Sequence, residues 1–213
     1  MLRTLSLVGP AVFLIVHVSV NGSAMPLQGT SLDLSCSVFS PDTSETDLIA
    51  RFGAENVTTA PVIGLDDGPS EGTVLFPSTP DARVEILWLD RESKRRPAWI
   101  MVKGEHTRWR STKGITLGTD LLTLEEANRR PFRMAGFQTE GQGAVISWAG
   151  GRLETPATDG CRVTAHMGPR YDGTEDFALM RQVGSGREYS SAHPAMQKLN
   201  PRVAVVTIAF ARQ

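Results

Sequence analysis

Two periodicities of apolar and polar residues divide this chain into its elements. Between Arg83 and Asp90, Val84, Ile86 and Trp88 alternate with Glu85, Leu87 and Leu89, which predicts a strand with one wholly apolar face and one mixed face. Similar β-rich stretches run over Asn56–Ile63, Gly72–Phe76 and Trp99–Val102. The charged turn Asp90–Arg96 separates the last two strands of this set. Further along, Phe132–Phe137, Ala144–Trp148 and Cys161–Met167 read as strands divided by Gly-rich turns at Gly141–Gly143 and Gly150–Gly151. Val203–Phe210 is rich in β-branched residues and apolar enough to predict a buried final strand.

The helical period appears in short pieces. Ser44–Gly53 predicts a helix with Ser44 as N-cap, Asp47 as its capping-box partner, Gly53 as terminator and Leu48, Ile49 and Phe52 on an apolar face. Gly118–Asn128 repeats the theme, with Thr119 or Asp120 capping, Leu121, Leu124 and Ala127 facing inward and Asn128 ending the helix. Both segments contain Thr-Asp-Leu, and each precedes a run of strands, which suggests a helix-plus-meander unit used twice. Glu175–Val183 and Ser191–Leu199 predict two more short helices, the second capped by Ser191 with Pro194 in its first turn. The expected fold is therefore α+β: two related halves, each a short helix followed by mainly antiparallel strands, closed by the C-terminal strand.

A different pattern opens the chain. Leu5–Val20 is an almost unbroken apolar run behind Arg3, interrupted at Gly9-Pro10 and followed by Asn21-Gly22-Ser23-Ala24, which is the order of a cleaved secretory signal. The run is shorter than the roughly 20 residues a helix needs to cross a bilayer. Residues 1–24 are thus read as a signal peptide and Met25 as the mature N-terminus, with units at 25–110 and 111–213. About 190 of the 213 residues remain, enough for one domain or two small halves sharing a core.

Export changes the meaning of the cysteines. Cys36 and Cys161 both survive cleavage, and in an oxidising compartment they read as one disulfide contributing on the order of 4 kcal/mol; two separately buried thiols are the alternative. Asp33 stands where a lipid-attachment signal wants an aliphatic residue, so no lipid anchor or stable membrane insertion is expected after cleavage. The formal net charge is −1, and loss of Arg3 adds one more negative charge, which disfavours binding to nucleic acid or anionic lipid by general attraction.

Two groups of residues carry a resemblance. Arg51–Val57, Gly72–Pro77 and Glu85–Trp88, followed by Leu117–Thr119, Asn128 and Pro131-Phe132, resemble small exported proteobacterial proteins of unknown function over most of the mature chain. The duplicated helix-then-sheet order is also similar to the architecture of the outer-membrane assembly lipoprotein BamE and of the tandem-repeat β-lactamase inhibitor proteins. That likeness implies a non-catalytic, protein-binding role, although the lipid-anchoring cysteine of the first group is missing.

Candidate chemistry is sparse. His106, His166 and His193 lack metal-ligand spacing, and no metal or other cofactor is expected. Asp66, Asp67 and Glu71 lack the alternation of a calcium loop and read as a solvated hairpin turn. Ser190 and Ser191 beside His193 motivate a periplasmic hydrolase as a rival function, but Gly184-Ser185-Gly186 is not a nucleophile elbow, so no catalytic residue is assigned. A pocket lined by Phe132, Phe137 and Ile146 would instead make a small-ligand carrier. Trp88 and Trp148 read as core, whereas Trp99 and Trp109, flanking Lys103, His106, Arg108 and Arg110, form a candidate hot spot for a protein partner. Core packing is the other reading of Trp99, and Trp109 is open between the two. The expectation is a periplasmic or secreted, non-enzymatic binding or envelope-associated protein using Trp99, Arg108, Trp109 and Arg110.

Overall fold

The computed structural model describes residues 30–63, 68–138, 142–154, 161–169, 176–184 and 188–210; the expected signal peptide and the Asp66-Asp67 turn lie outside them. In chain order the elements are β1 (Leu32–Asp33), α1 (Glu45–Phe52), β2 (Val57–Ile63), β3 (Pro69–Leu75), β4 (Val84–Asp90), β5 (Arg95–Lys103) and β6 (Trp109–Arg110). There follow α2 (Leu121–Asn128), β7 (Arg133–Ala135), β8 (Val145–Ser147), β9 (Cys161–Gly168), α3 (Phe177–Gln182), β10 (Glu188–Ser190), α4 (Pro194–Leu199) and β11 (Arg202–Phe210). The class is α+β, with mainly antiparallel sheet.

Six strands build the main sheet in the order β2-β3-β4-β5-β11-β9, antiparallel at every pairing. A smaller sheet runs β10-β7-β8, and one bridge, Ala144 to His166, joins it to the edge of the larger. β1 pairs with β6 in parallel. The helix-then-strand order does occur twice, but the strands after α2 divide: β7 and β8 leave with β10, while β9 reaches the main sheet through β11. The final strand lies between β5 and β9 and ties the two parts of the chain together.

Register explains where the core sits. Ile86, Ile100, Ile208 and Val163 stand opposite one another across β4, β5, β11 and β9, forming an inward-facing apolar row. Helices cover this inner face. Their buried apolar residues, Leu48, Leu121, Leu124, Ala195 and Met196, all belong to the same core. Ile49 and Ala127, expected inward, face solvent because eight-residue helices lying on a sheet bury only a narrow stripe.

Polar pegs fix the helices on the sheet. The Trp88 indole N–H donates to Thr73 Oγ1 at 2.8 Å, and that hydroxyl donates to Glu45 Oε1 at 2.7 Å. Lys94 Nζ then binds both Glu45 oxygens, at 3.1 and 3.0 Å, so the first residue of α1 is anchored through the sheet. Buried polar atoms paired in this way avoid the desolvation penalty of an unmade bond.

Cys36, just after β1, is bonded to Cys161 at the start of β9, with Cα atoms 5.9 Å apart and a sequence separation of 125. A loop of that length places the entropic contribution at about 5 kcal/mol. Replacing both cysteines by serine is therefore expected to lower unfolding free energy by roughly 2–5 kcal/mol, read as a fall in urea midpoint; an unchanged midpoint would show that the bond does not constrain the unfolded chain.

The cap of α1 is reciprocal: the Asp47 N–H donates to Ser44 Oγ at 3.2 Å, and the Ser44 N–H donates to Asp47 Oδ2 at 2.9 Å. The Ser44 side chain first, then its backbone N–H, hold the Asp47 carboxyl below its ordinary value of 3.8. A lowered folded-state pKa gives stability that is present above the unfolded value and lost as pH falls through the folded one. Ser44→Ala should cost about 1 kcal/mol at neutral pH, and the gap to the native protein should narrow below pH 3.8 in acid-dependent urea unfolding.

Candidate binding surface

The aromatic and basic residues between 99 and 110 do not form one surface. β6 is extended, so Trp109 points inward while Arg108 and Arg110 flank it on the other side. Trp109 is 1% exposed and packs among Phe39, Phe52 and Phe76, with ring centroids 5.7, 6.2 and 6.5 Å away. Its indole N–H donates to the Ala82 carbonyl at 2.7 Å. A ring so enclosed has no face for a partner, so Trp109 is a core residue. Arg108 Nε lies 3.2 Å from Asp81 Oδ2, and Arg110 is exposed.

Trp99 has a different place. It is half-buried in β5, opposite Leu87 of β4 and Ala209 of β11, on the outer face of the main sheet. Val62, Val74 and Leu87 form a second apolar cluster there, with Ala60, Ala98 and Trp99 packed against it. No described helix contributes a buried apolar residue to this cluster. Leu89 continues the same face of β4 and is 61% exposed, so the apolar surface runs out to solvent beside Trp99. A bulge between Leu87 and Trp88 places Ala98 as an extra residue in β5 beside Trp99.

The neighbouring part of the face is ionic. Glu85, only 6% exposed, stands in register between Val74 and Met101. Lys103 Nζ lies 2.7 Å from its Oε2, and Arg83 Nη2 lies 3.3 Å from its Oε1. Two cations compensate a carboxylate drawn into an otherwise apolar sheet face, an arrangement strongly destabilised when one partner is removed. Lys103 also donates to the Ile63 carbonyl at 3.2 Å, which ties the triad to strand β2.

The residues behind the rival functions are occupied elsewhere. Ser191 is fully buried; its hydroxyl bonds Glu125 Oε2 and accepts the Phe132 N–H at 2.9 Å. His193 Nδ1 accepts the Ala195 N–H at 3.2 Å and caps α4, the role expected for Ser191. Ser190 Oγ accepts the Ala192 N–H. Phe132 packs on Trp148, centroids 5.1 Å apart, and Phe137 is buried in the core, while Ile146 is exposed, so these three do not share a pocket wall. Among the described residues, no three His, Cys, Asp or Glu side chains group to hold a metal ion.

Comparison with protein-family models, with curated proteins and with solved structures finds no match to this chain. The outer face was partly visible in the alternation of β4, whose second face carries Leu87 and Leu89. The Arg83–Glu85–Lys103 triad was not, because Lys103 reaches Glu85 only through the β4–β5 register.

Trp109→Ala is expected to cost about 3–5 kcal/mol, whereas Trp99→Ala should cost less than about half as much, because its ring is only partly packed. Urea unfolding of the two variants checks this, and equal losses would make Trp99 a core residue like Trp109.

Proposed function

We propose that the protein is an exported, non-enzymatic binding protein of the cell envelope that receives a protein partner on the outer sheet face around Trp99. The observation that carries this reading is the half-buried Trp99 ring beside the exposed Leu89, at the margin of a buried cluster of Val62, Val74 and Leu87. An aromatic anchor over an apolar patch, with charged residues beside it, has the composition of a binding hot spot. Glu85, Arg83 and Lys103 supply that charged neighbour.

The Cys36–Cys161 bond supports the exported reading, since disulfides persist in oxidising compartments. The commitment of Ser191 to Glu125 and of His193 Nδ1 to the α4 cap favours binding over the hydrolase alternative. No helix among the described residues is long and apolar enough to cross a membrane.

The test places a photo-crosslinking residue at position 99, and a second at exposed Arg91 as control, in protein expressed in its native host. The expected result is a discrete crosslinked protein species in the envelope fraction from position 99 and none from position 91, on protein whose N-terminus is Met25. Equal crosslinking at both positions, or none at position 99, overturns the assignment of this face.

A further inference from the structure

The C-terminus of α2 is tied into a knot by one side chain. Asn128 is fully buried, and its Nδ2 donates to the carbonyls of Arg130 and Trp148, each at 2.9 Å. Its Oδ1 accepts the Leu153 N–H at 3.0 Å, and its backbone carbonyl accepts the Arg152 N–H at 3.0 Å. The turn it holds is tight: Arg129, Ala149 and Gly150 all have positive φ, at 60°, 55° and 71°. Gly151 lies so close to the Asn128 amide that a Cβ there would collide with it.

This knot brings together cations from separate segments. Arg129 and Arg152 line a cleft of about 580 Å³ with Thr123, Glu126 and Ala127. The Arg130 guanidinium lies beside the adjoining turn, where a Cβ on Gly150 would stand 3.7 Å from its Nη1. Lys113 Nζ donates to the Arg152 carbonyl at 2.8 Å and to the Glu154 carbonyl. None of the three arginines takes part in an ion pair among the described residues. In the cleft itself Arg129 and Arg152 stand against one carboxylate, Glu126, while Glu154 beside it accepts the Gly150 N–H at 3.4 Å. Among the described residues the cleft lining therefore carries one more positive than negative charge, in a protein whose net formal charge is −1.

A helix C-terminus attracts cations through its dipole, which accounts for Arg129 and Arg130. It does not account for Arg152, which arrives from another segment with its backbone N–H held by the Asn128 carbonyl. We propose that this cleft binds the phosphate group of a phosphorylated ligand. A phosphate monoester carries about −1.5 to −2 charge at neutral pH, and the guanidinium forks of Arg129 and Arg152, from two segments, can each bind its oxygens bidentately. Thr123 lines the same cleft and brings a hydroxyl, a neutral donor. α2 packs on the inner core, so this site is separate from the outer face around Trp99.

The experiment titrates the purified protein with glycerol 3-phosphate by calorimetry and, separately, measures flotation with phosphatidylcholine vesicles containing phosphatidic acid. Saturable binding in either arm is expected, weakened by about tenfold or more in Arg129→Gln/Arg152→Gln, a loss of the size expected for removing charge-assisted bonds, and unchanged in Arg91→Gln. Binding in the soluble arm alone makes the ligand a free phosphorylated compound; retention on vesicles makes it a lipid headgroup. Absence of saturable binding in both arms, or undiminished binding by the double variant when its thermal unfolding matches the native protein, overturns the proposal.

Discussion

The structure depends on the pairing of β11 with two strands that lie far from it and from each other in the chain. Residues Val205–Ala209 pair with Lys103–Trp99 on one side, and Arg202–Phe210 pair with Gly168–Cys161 on the other. Without that strand the four-stranded meander after α1 and the segment carrying β9 share no ladder. Its inward residues Val203, Val206 and Ile208 are fully buried and belong to the main core, so the same strand supplies the seam of the sheet and the middle of its apolar packing. The disulfide reinforces this seam by tying the segment after β1 to the first residue of β9.

Once the sheet is joined, its two faces have different fates. The four described α-helices and the β1–β6 pair lie with the inner face, and there the buried polar groups are used as pegs: Thr73 between Trp88 and Glu45, Asn128 among three turns, and Ser191 between Glu125 and Phe132. Each makes a long-range connection that hydrophobic contact alone leaves unspecified. The outer face carries its own row, Val74, Glu85, Met101 and Thr207, in which an ion pair replaces a peg. The inner face is thus the main core, whereas the outer face buries this row as well and opens to solvent at Leu89 and part of Trp99, the margin on which the proposed binding role rests.

Local signals were legible in the sequence, and distant partnerships were not. The capping box of α1 and the buried strand at Val203–Phe210 both follow from a few adjacent residues, and both are seen. β5 begins at Arg95 rather than near Trp99 because its first residues pair with Asp90 and Trp88 across the charged turn, a tertiary gain that charge content conceals. β1, β6 and β10 are two or three residues long and exist only through their partners, so no periodicity announces them. Trp109 shows the consequence for the site. Flanked by arginines it has the local appearance of an exposed aromatic, yet its pairing with Leu32 turns the ring into the core. Trp99 keeps a partly open face because the strand beside it is β11, whose residue there is Ala209. The arginine cleft was hidden for the same reason, since only the four hydrogen bonds of Asn128 bring Arg152 to Arg129.

The position of β11 also bears on how such a chain acquires its shape. A sheet whose last described element joins β5 to β9 depends there on pairings between residues far apart in sequence, and loop closure must precede the gain from those contacts. The main sheet therefore cannot close while β11 is still to be made, and the meander β2–β5 waits with β5 as an open edge. The Cys36–Cys161 bond holds the first residue of β9, which pairs with Phe210 of β11, to the segment after β1, so it lies at one end of that seam.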